Sequence, residues 1–378
     1  MFIKKNYPSL IKYMGSKSKI LDFIIEGINS VPLKNNTILD LFAGSSTLSG
    51  AIGGQSNFIS NDIQAYSSVL SKTYLTSLKS ESELSVNTVL IEAKDVYLSR
   101  LDKSLVVDYS ESMTLDEFNF FEKQQQSLIN ESFNYNYHLF AKNYSGTWWS
   151  YEQCVWIDAI REIADNYKSS KYYSYIISAL MYAMAYSSQG TGHYAQYRDA
   201  KTEKSMKDIS IYRRKKLNLI FSRKLIELVE YGRDKPEFDF ENKYWSLDYK
   251  EALDGFAGGT VYADPPYCFV HYSRFYHALE TLVLYDYPEI QKISGKVVKG
   301  RYRKERHQSP FSIKTQVESA FEDMFKSIKN TESNLVLSYS NTGMISLEHL
   351  GDIASTFWDS RNIEIITTNH QHITLGRQ

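Results

Sequence analysis

Cysteine is scarce: Cys154 and Cys268 are the only two in 378 residues. They lie far apart, and neither has a second cysteine at metal-ligand spacing. That excludes a disulfide scaffold or a zinc ribbon and fits reduced thiols in the cytoplasm. No apolar run reaches the roughly 18 residues needed to cross a membrane. The opening residues, Met1 to Pro8, lack the apolar stretch and small-residue cleavage site of a signal peptide, so a cytoplasmic protein is expected. Excess charge is also missing. The net formal charge is −1, so any affinity for a polyanion has to come from local clusters. Internal repeats and low-complexity linkers are absent.

What is present is length and aromatic side chains. At about 150 residues per domain, the chain has room for two domains or for one large domain with an insertion. The 30 tyrosines and 19 phenylalanines fit a Tyr- and Lys-rich composition, and they also supply surfaces on which bases stack. Lys19 to Ile25 reads as a helix. Thr37 to Phe42 is a short apolar run ending at Gly44, as a buried strand would. Ser45, Ser46, Thr47 and Ser49 place hydroxyls where a following helix would be capped. Phe58 to Asp62 is a second strand ending in an acid. Strand, glycine turn, helix, strand and acid together make half of a doubly wound nucleotide-binding unit.

Residues 76–239 break that rhythm with helical stretches such as Tyr175–Tyr186 and Leu217–Tyr231. Strand patterns return at Lys243–Asp248, Gly259–Asp264, Asn334–Tyr339 and Asn362–Thr367, with a helix expected over 314–330. The plan is an α/β sheet domain made from 1–75 and 240–378, interrupted by a largely helical insertion over 76–239.

Val261 to Tyr267 carries the chemistry. A buried strand ends in Asp264, Pro265, Pro266 and Tyr267. The two prolines have fixed φ and no amide hydrogen, so they hold a rigid turn at the carboxyl end of a strand, where open α/β sheets bind ligands. An exocyclic amine is a poor nucleophile because its lone pair is delocalised into the ring. A carboxylate accepting one N–H and a carbonyl accepting the other draw the nitrogen toward tetrahedral geometry and free the lone pair. Asp264 supplies such a carboxylate and Pro265 such a carbonyl. Asp264 also offsets the positive charge that develops on nitrogen. Tyr267 offers a ring to stack on a base that has left its duplex.

Taken with the order of motifs, the chain resembles the Dam-like N6-adenine DNA methyltransferases of the α group, in which cofactor motifs come first, a target-recognition insertion next and the catalytic motif last. The resemblance covers about 1–75 and 240–378. It implies a Rossmann-like class I methyltransferase sheet and S-adenosyl-L-methionine as cofactor. Leu10 to Lys17 is similar to the family's N-terminal motif, which assigns Tyr13 and Lys17 to the methionine end of the cofactor. Asp40 to Ser46 is similar to its glycine turn, which adds Asp40, Phe42, Gly44 and Ser45; the family usually has a second glycine where Ser46 stands. Asp62 matches the acid on the ribose hydroxyls, and Asp248 the contact to the cofactor's adenine. The catalytic turn, Asp264 included, lies against the cofactor. His271 to His277 is similar to the motif lining the target-base pocket, with Tyr272 and Phe275 as candidates.

Two runs are locally basic. Lys201–Lys235 holds 11 Lys/Arg against 5 acids, and Lys292–Arg306 holds 7 against 1. Phosphate neutralisation needs such fields. The second run, with Lys299, Arg301 and Arg303, is expected to be a flexible loop that orders on DNA. His193 and Gln196, in a glycine-containing stretch of the insertion, are candidates for reading base edges. His370 and His372 have no acidic or cysteine partner nearby, so no metal is expected. Asp239 to Lys243 reads as a polar lead into a strand and not as a nuclease motif.

The resemblance thus implies adenine-N6 methylation of double-stranded DNA in a restriction-modification or phage-defence system, with a cognate restriction endonuclease as a further partner. A monomer or weak dimer is expected. Cytosine-N4 methylation and a catalytically silent DNA-binding module are the alternatives; the former tends to have Ser where Asp264 stands.

Overall fold

The computed structural model describes residues 1–13, 17–190, 192–267, 269 and 271–368. The expectations placed on Gly15, Ser16, Thr191, Cys268, His370 and His372 lie outside them.

Five parallel strands form the central sheet: β1 (Thr37–Asp40), β2 (Asn57–Asn61), β3 (Asn242–Trp245), β4 (Thr260–Ala263) and β7 (Asn334–Leu337), in the order β3-β2-β1-β4-β7. The hairpin β5 (Lys292–Ile293) and β6 (Lys296–Val297) stands apart from it. Period-2 alternation sorts the side chains of the sheet. Ile38, Phe58 and Tyr262 join a core with helices Leu21–Ser30 and Thr47–Ile52 on one face. Leu39, Ile59 and Val261 point the other way, into a core with helices Tyr249–Asp254, Val317–Asn330 and Leu347–Phe357. Helices on both faces of a parallel sheet bury its inner strands, which is why β1 and β4 read as unbroken apolar runs.

The strand order reverses at β1, which pairs with β2 on one side and β4 on the other. Connections therefore leave β1 and β4 in opposite directions, and a crevice opens at their carboxyl ends. Each expected strand on the sheet ends earlier than its sequence pattern, because the trailing residues, Phe42, Asp62, Asp264 and Tyr339 among them, turn out to line that crevice.

Over 76–239 the described residues contain helices and no strand. Their core is continuous with the rest of the protein. Tyr66, Leu70 and Tyr74 of helix Ala65–Leu75, and Tyr276, Leu279 and Leu282 beyond the catalytic turn, pack with Trp148, Trp149, Ile176 and Leu228 of the insertion. Glu280 fixes this junction by accepting hydrogen bonds from the first amides of helix Ala65–Leu75, Ala65 N (3.0 Å) and Tyr66 N (3.2 Å). No described helix is long and apolar enough to cross a membrane.

Three expectations need correction. Asn362–Thr367 is not a strand: Ser360–Asn362 is a 3-10 turn, and the residues after it run exposed with no strand to pair with. No hydroxyl caps helix Thr47–Ile52. Ser46 occupies its N-terminus in a left-handed conformation (φ 57°, ψ 27°), and its Oγ donates instead to Ser67 O at 3.0 Å. The Lys292–Arg306 run is a built arm and not an open loop. Beyond the hairpin, Gln291 N donates to Tyr302 O and Lys304 N to Glu289 O.

Candidate active site

The register of three strands sets the site. Asp40 closes β1 opposite Tyr262, Asp62 follows β2, and Asp264 lies just past the end of β4. The turn after β1 is held on both sides, since Leu41 N donates to Tyr262 O (2.9 Å) and Ala43 N to Asn61 O (2.8 Å). Asn61 then ties β1 to β3, donating to Leu41 O and Leu247 O and accepting from Leu247 N. Nothing in the motif pattern marked Asn61; its neighbours in space are up to 186 residues away in sequence.

Gly44 sits at φ 54°, and a Cβ there would lie 3.0 Å from the Tyr13 hydroxyl. The glycine is required twice, for its conformation and for the approach of Tyr13. Gly44 N donates to Asp62 Oδ2 (2.9 Å) while Gln64 N donates to Asp62 Oδ1 (3.0 Å). Asp62 is thus aimed by two amides and keeps lone pairs on both oxygens. Burial raises its pKa, against the pull of those amides.

Asp40 is fully buried, and among the described residues neither carboxylate oxygen has a hydrogen-bond partner. Burial first, then Asp264 and Asp62, push its pKa up to about 7, with Lys17 opposing. A buried carboxylate without a donor is costly, and protonation is one way to lower that cost.

Lys17 Nζ lies 3.1 Å from Asp264 Oδ2, 3.5 Å from Phe42 O and 4.9 Å from the centre of the Tyr262 ring. Burial works against its charge, but Asp264, Tyr262 and Asp40 outweigh it and raise its pKa. The resemblance placed Lys17 on the cofactor; the structure places it between the glycine turn and Asp264, in contact with both. Tyr13 stacks on Tyr276 at 4.5 Å and near Tyr272 at 6.3 Å, and burial raises its hydroxyl pKa.

These groups open on one cleft of about 1100 Å³. Tyr13, Lys17, Phe42, Gly44, Ser45, Asp62, Asp248, Asp264, Pro265, Pro266, Tyr267 and Tyr272 line it, and Asp40 lies buried at the end of β1 below them. Asp248 also caps helix Tyr249–Asp254, accepting from Lys250 N at 3.0 Å. Phe42 packs at 5.4 Å on the buried Phe311 and 6.2 Å from Tyr249, an aromatic cluster that puts Phe42 and Tyr249 on the cleft wall beside the glycine turn. The Asp264–Tyr267 turn is anchored by Met344 N, which donates to Tyr267 O (2.9 Å). His307, Gln308 and Ser309 form part of the wall, and no local pattern pointed to them.

The remaining candidates are placed elsewhere. Phe275 does not line the cleft; it packs on the helical core, 4.7 Å from the His193 ring, and its carbonyl accepts from Tyr194 N. His193 is half-buried, its Nδ1 accepts from Ala195 N, and burial lowers its pKa. Gln196 is exposed. Arg301 is not a surface cation: it is 6% exposed, and its guanidinium donates to Asn143 O (2.9 Å) and Gln126 O (3.1 Å). Arg303 is engaged by Asp286 through both nitrogens, and Lys299 by Asp199 at 2.5 Å. Three of the run's seven cations thus meet a carboxylate, and a fourth, Arg301, is buried against carbonyls. Among the described residues no group of three or more His, Cys, Asp or Glu is arranged to hold a metal.

With this geometry in view, comparison with known proteins is informative. A family profile described as D12 class N6 adenine-specific DNA methyltransferase matches residues 13–339. The modification methylase LlaI of Lactococcus lactis subsp. lactis is 24% identical over 366 residues, 96% of this chain and 51% of that protein. The type II methyltransferase M.FokI of Planomicrobium okeanokoites is 22% identical over 91% of this chain and 46% of its own. The type II methyltransferase M.NlaIII of Neisseria lactamica is 22% identical, with 92% and 88% covered. This chain thus spans about half the length of the first two. No solved structure gives a significant match.

Proposed function

Because the chain belongs to the D12 class of N6 adenine-specific DNA methyltransferases, we propose that it methylates N6 of an adenine flipped out of double-stranded DNA, as the modification enzyme of a restriction-modification system. The observation that carries this reading is the shared cleft: the glycine turn with Asp62 on one side, Asp264 to Tyr267 on the other, and Lys17 touching both.

The site fits S-adenosyl-L-methionine. Asp40, buried beneath the glycine turn, sets the negative field that its ammonium group would meet, Asp62 offers oriented lone pairs to its ribose hydroxyls, and Phe42 and Tyr249, which line the cleft, offer apolar ring surface to its adenine. When bound, it supplies an electrophilic methyl on sulfur. The chain's own work is on the acceptor. Asp264, paired with Lys17 at 3.1 Å, accepts one N–H of the adenine amine, and the Pro265 carbonyl accepts the other. Tyr267 stacks on the flipped ring. Asp264 then offsets the charge arising on nitrogen.

Residues 76–239 act as the target-recognition unit on this reading, with His193 and Gln196 near its edge. A cognate endonuclease would share the target sequence, and the enzyme would work in the cytoplasm as a monomer or weak dimer. Expression in a host without adenine methylation, followed by direct mapping of modified bases, tests the proposal. Methylated adenine at one short sequence, absent with Asp264→Ala, is the expected result. Modification of cytosine alone, or none by a folded, cofactor-binding protein, overturns it.

A further inference from the structure

Most cations of the basic arm have an internal partner: Lys299 with Asp199, Arg303 with Asp286, Lys304 with Glu289, and Arg301 with two carbonyls. Arg306 has none. Its guanidinium meets no carboxylate and no carbonyl among the described residues, and its Nη1 is buried without a hydrogen bond. Arg274, on the short helix Tyr272–Phe275, is in the same condition, with Nε buried and unpartnered.

The two are neighbours. Both guanidiniums pack on the ring of Tyr302, at 4.8 Å for Arg274 and 5.1 Å for Arg306. Ser273 Oγ donates to His307 O at 2.6 Å, which joins the helix carrying Arg274 to the strand of chain carrying Arg306. His271, Ser273 and His307, the immediate neighbours of the pair, line the cleft beside the catalytic turn. Two like charges held together, half-buried and without a counter-charge, destabilise a fold. A planar guanidinium with free N–H groups matches the oxygens of a phosphate.

Resting on the methyltransferase reading above, we propose that Arg274 and Arg306, gathered around Tyr302 and adjacent in the chain to the cleft-lining Ser273 and His307, bind a phosphodiester of the strand whose base enters the cleft. A base that leaves the duplex swings about its own backbone, so the phosphates beside it stay at the pocket mouth. The pair fixes that backbone while Asp264 and Tyr267 receive the base. It is a positioning site and touches no reacting atom.

The test compares the unaltered enzyme with Arg274→Gln/Arg306→Gln and Arg274→Lys/Arg306→Lys, each checked for an unchanged melting profile. Binding to a duplex carrying the mapped target is titrated at several salt concentrations, and cofactor binding is measured by calorimetry. The Gln pair should bind DNA on the order of tenfold to a hundredfold more weakly, with a log–log salt slope smaller by about 1. Cofactor affinity should not change, and the Lys pair should recover most of the slope. A single methylphosphonate moved along the linkages flanking the target adenine should weaken the unaltered enzyme at one position and leave the Gln pair indifferent there. An unchanged slope, or a methylphosphonate effect of equal size in both proteins, overturns the proposal. So does a loss confined to cofactor binding, which would assign the pair to the cofactor's carboxylate. An unaltered enzyme that binds and methylates no DNA would instead bring down the methyltransferase reading, and this site with it.

Discussion

The carboxyl edge of the sheet and the basic arm were both marked in the sequence, yet only the edge kept its side chains where the pattern put them. Asp40, Asp62 and Asp264 end parallel strands whose register is fixed by apolar faces on both sides. A shift of one residue would turn each strand inside out, so the residue after the strand has one place to go. The arm's signal was a count of charges. A count holds no information about pairing, and Arg301, Arg303, Lys299 and Lys304 found partners within the protein. Position at a strand end fixes where a side chain goes; charge density does not, and here part of that charge folded inward.

The sharpest way to break the comparison is at the edge. Asp264→Ala should lower methyl transfer by at least about a hundredfold to a thousandfold, read from labelled cofactor, while calorimetry still finds the cofactor bound. Retained turnover would mean that the strand-end carboxylate is not the group that activates the amine.

Asp40 comes next. Its folded-state pKa, pushed up to about 7 by burial, stands above its unfolded value of 3.8. The fold is therefore favoured while Asp40 is protonated; that contribution is complete below about pH 4 and is lost as pH rises through about 7. Asp40→Asn has no proton to lose. In the cofactor-free protein it should match the unaltered chain near pH 4 and exceed its stability at pH 8 by roughly 2–4 kcal/mol, as urea unfolding would show. Equal curves at both pH values would mean that the carboxylate has a partner in solution. The same substitution should weaken cofactor binding.

The strand-and-turn half of the site was legible because Gly44, Asp62 and Asp264 mark strand ends locally. Asn61, Glu280 and the His307–Ser309 wall were not legible, because each acts on residues far off in the chain. Glu280 caps a helix 214 residues earlier, and Ser273 bonds His307 across 34. The insertion's helices were visible from their periodicity, but its continuity with the core through Tyr66 and Tyr276 was not, since no pattern in one segment records what packs on it.

Within the arm, Arg301 and Lys299 make the contrast measurable. Arg301→Ala leaves Asn143 O and Gln126 O without their donors and opens a buried space, a loss of about 1–3 kcal/mol. Lys299→Ala removes one exposed ion pair with Asp199, worth about 0.2–1 kcal/mol at most. Chemical denaturation should separate the two. An Arg301→Ala protein of full stability that binds DNA weakly would restore Arg301 to the interface.

The smallest expected effect is at Ser46, where the family pattern usually has glycine. Its left-handed backbone (φ 57°) costs a non-glycine residue about 1–2 kcal/mol. Its hydroxyl, fully buried, donates to Ser67 O and accepts from Ser71 Oγ at 2.7 Å. Ser46→Gly relieves the backbone and loses the hydroxyl, so the two terms nearly cancel and stability should change by less than about 0.5 kcal/mol. Ser46→Ala loses the hydroxyl and keeps the strain, so it should be the worse variant by about 1 kcal/mol. If alanine and glycine prove equal, the strain is not what distinguishes this turn, and the hydroxyl network around Ser67 and Ser71 is what took the place of the glycine.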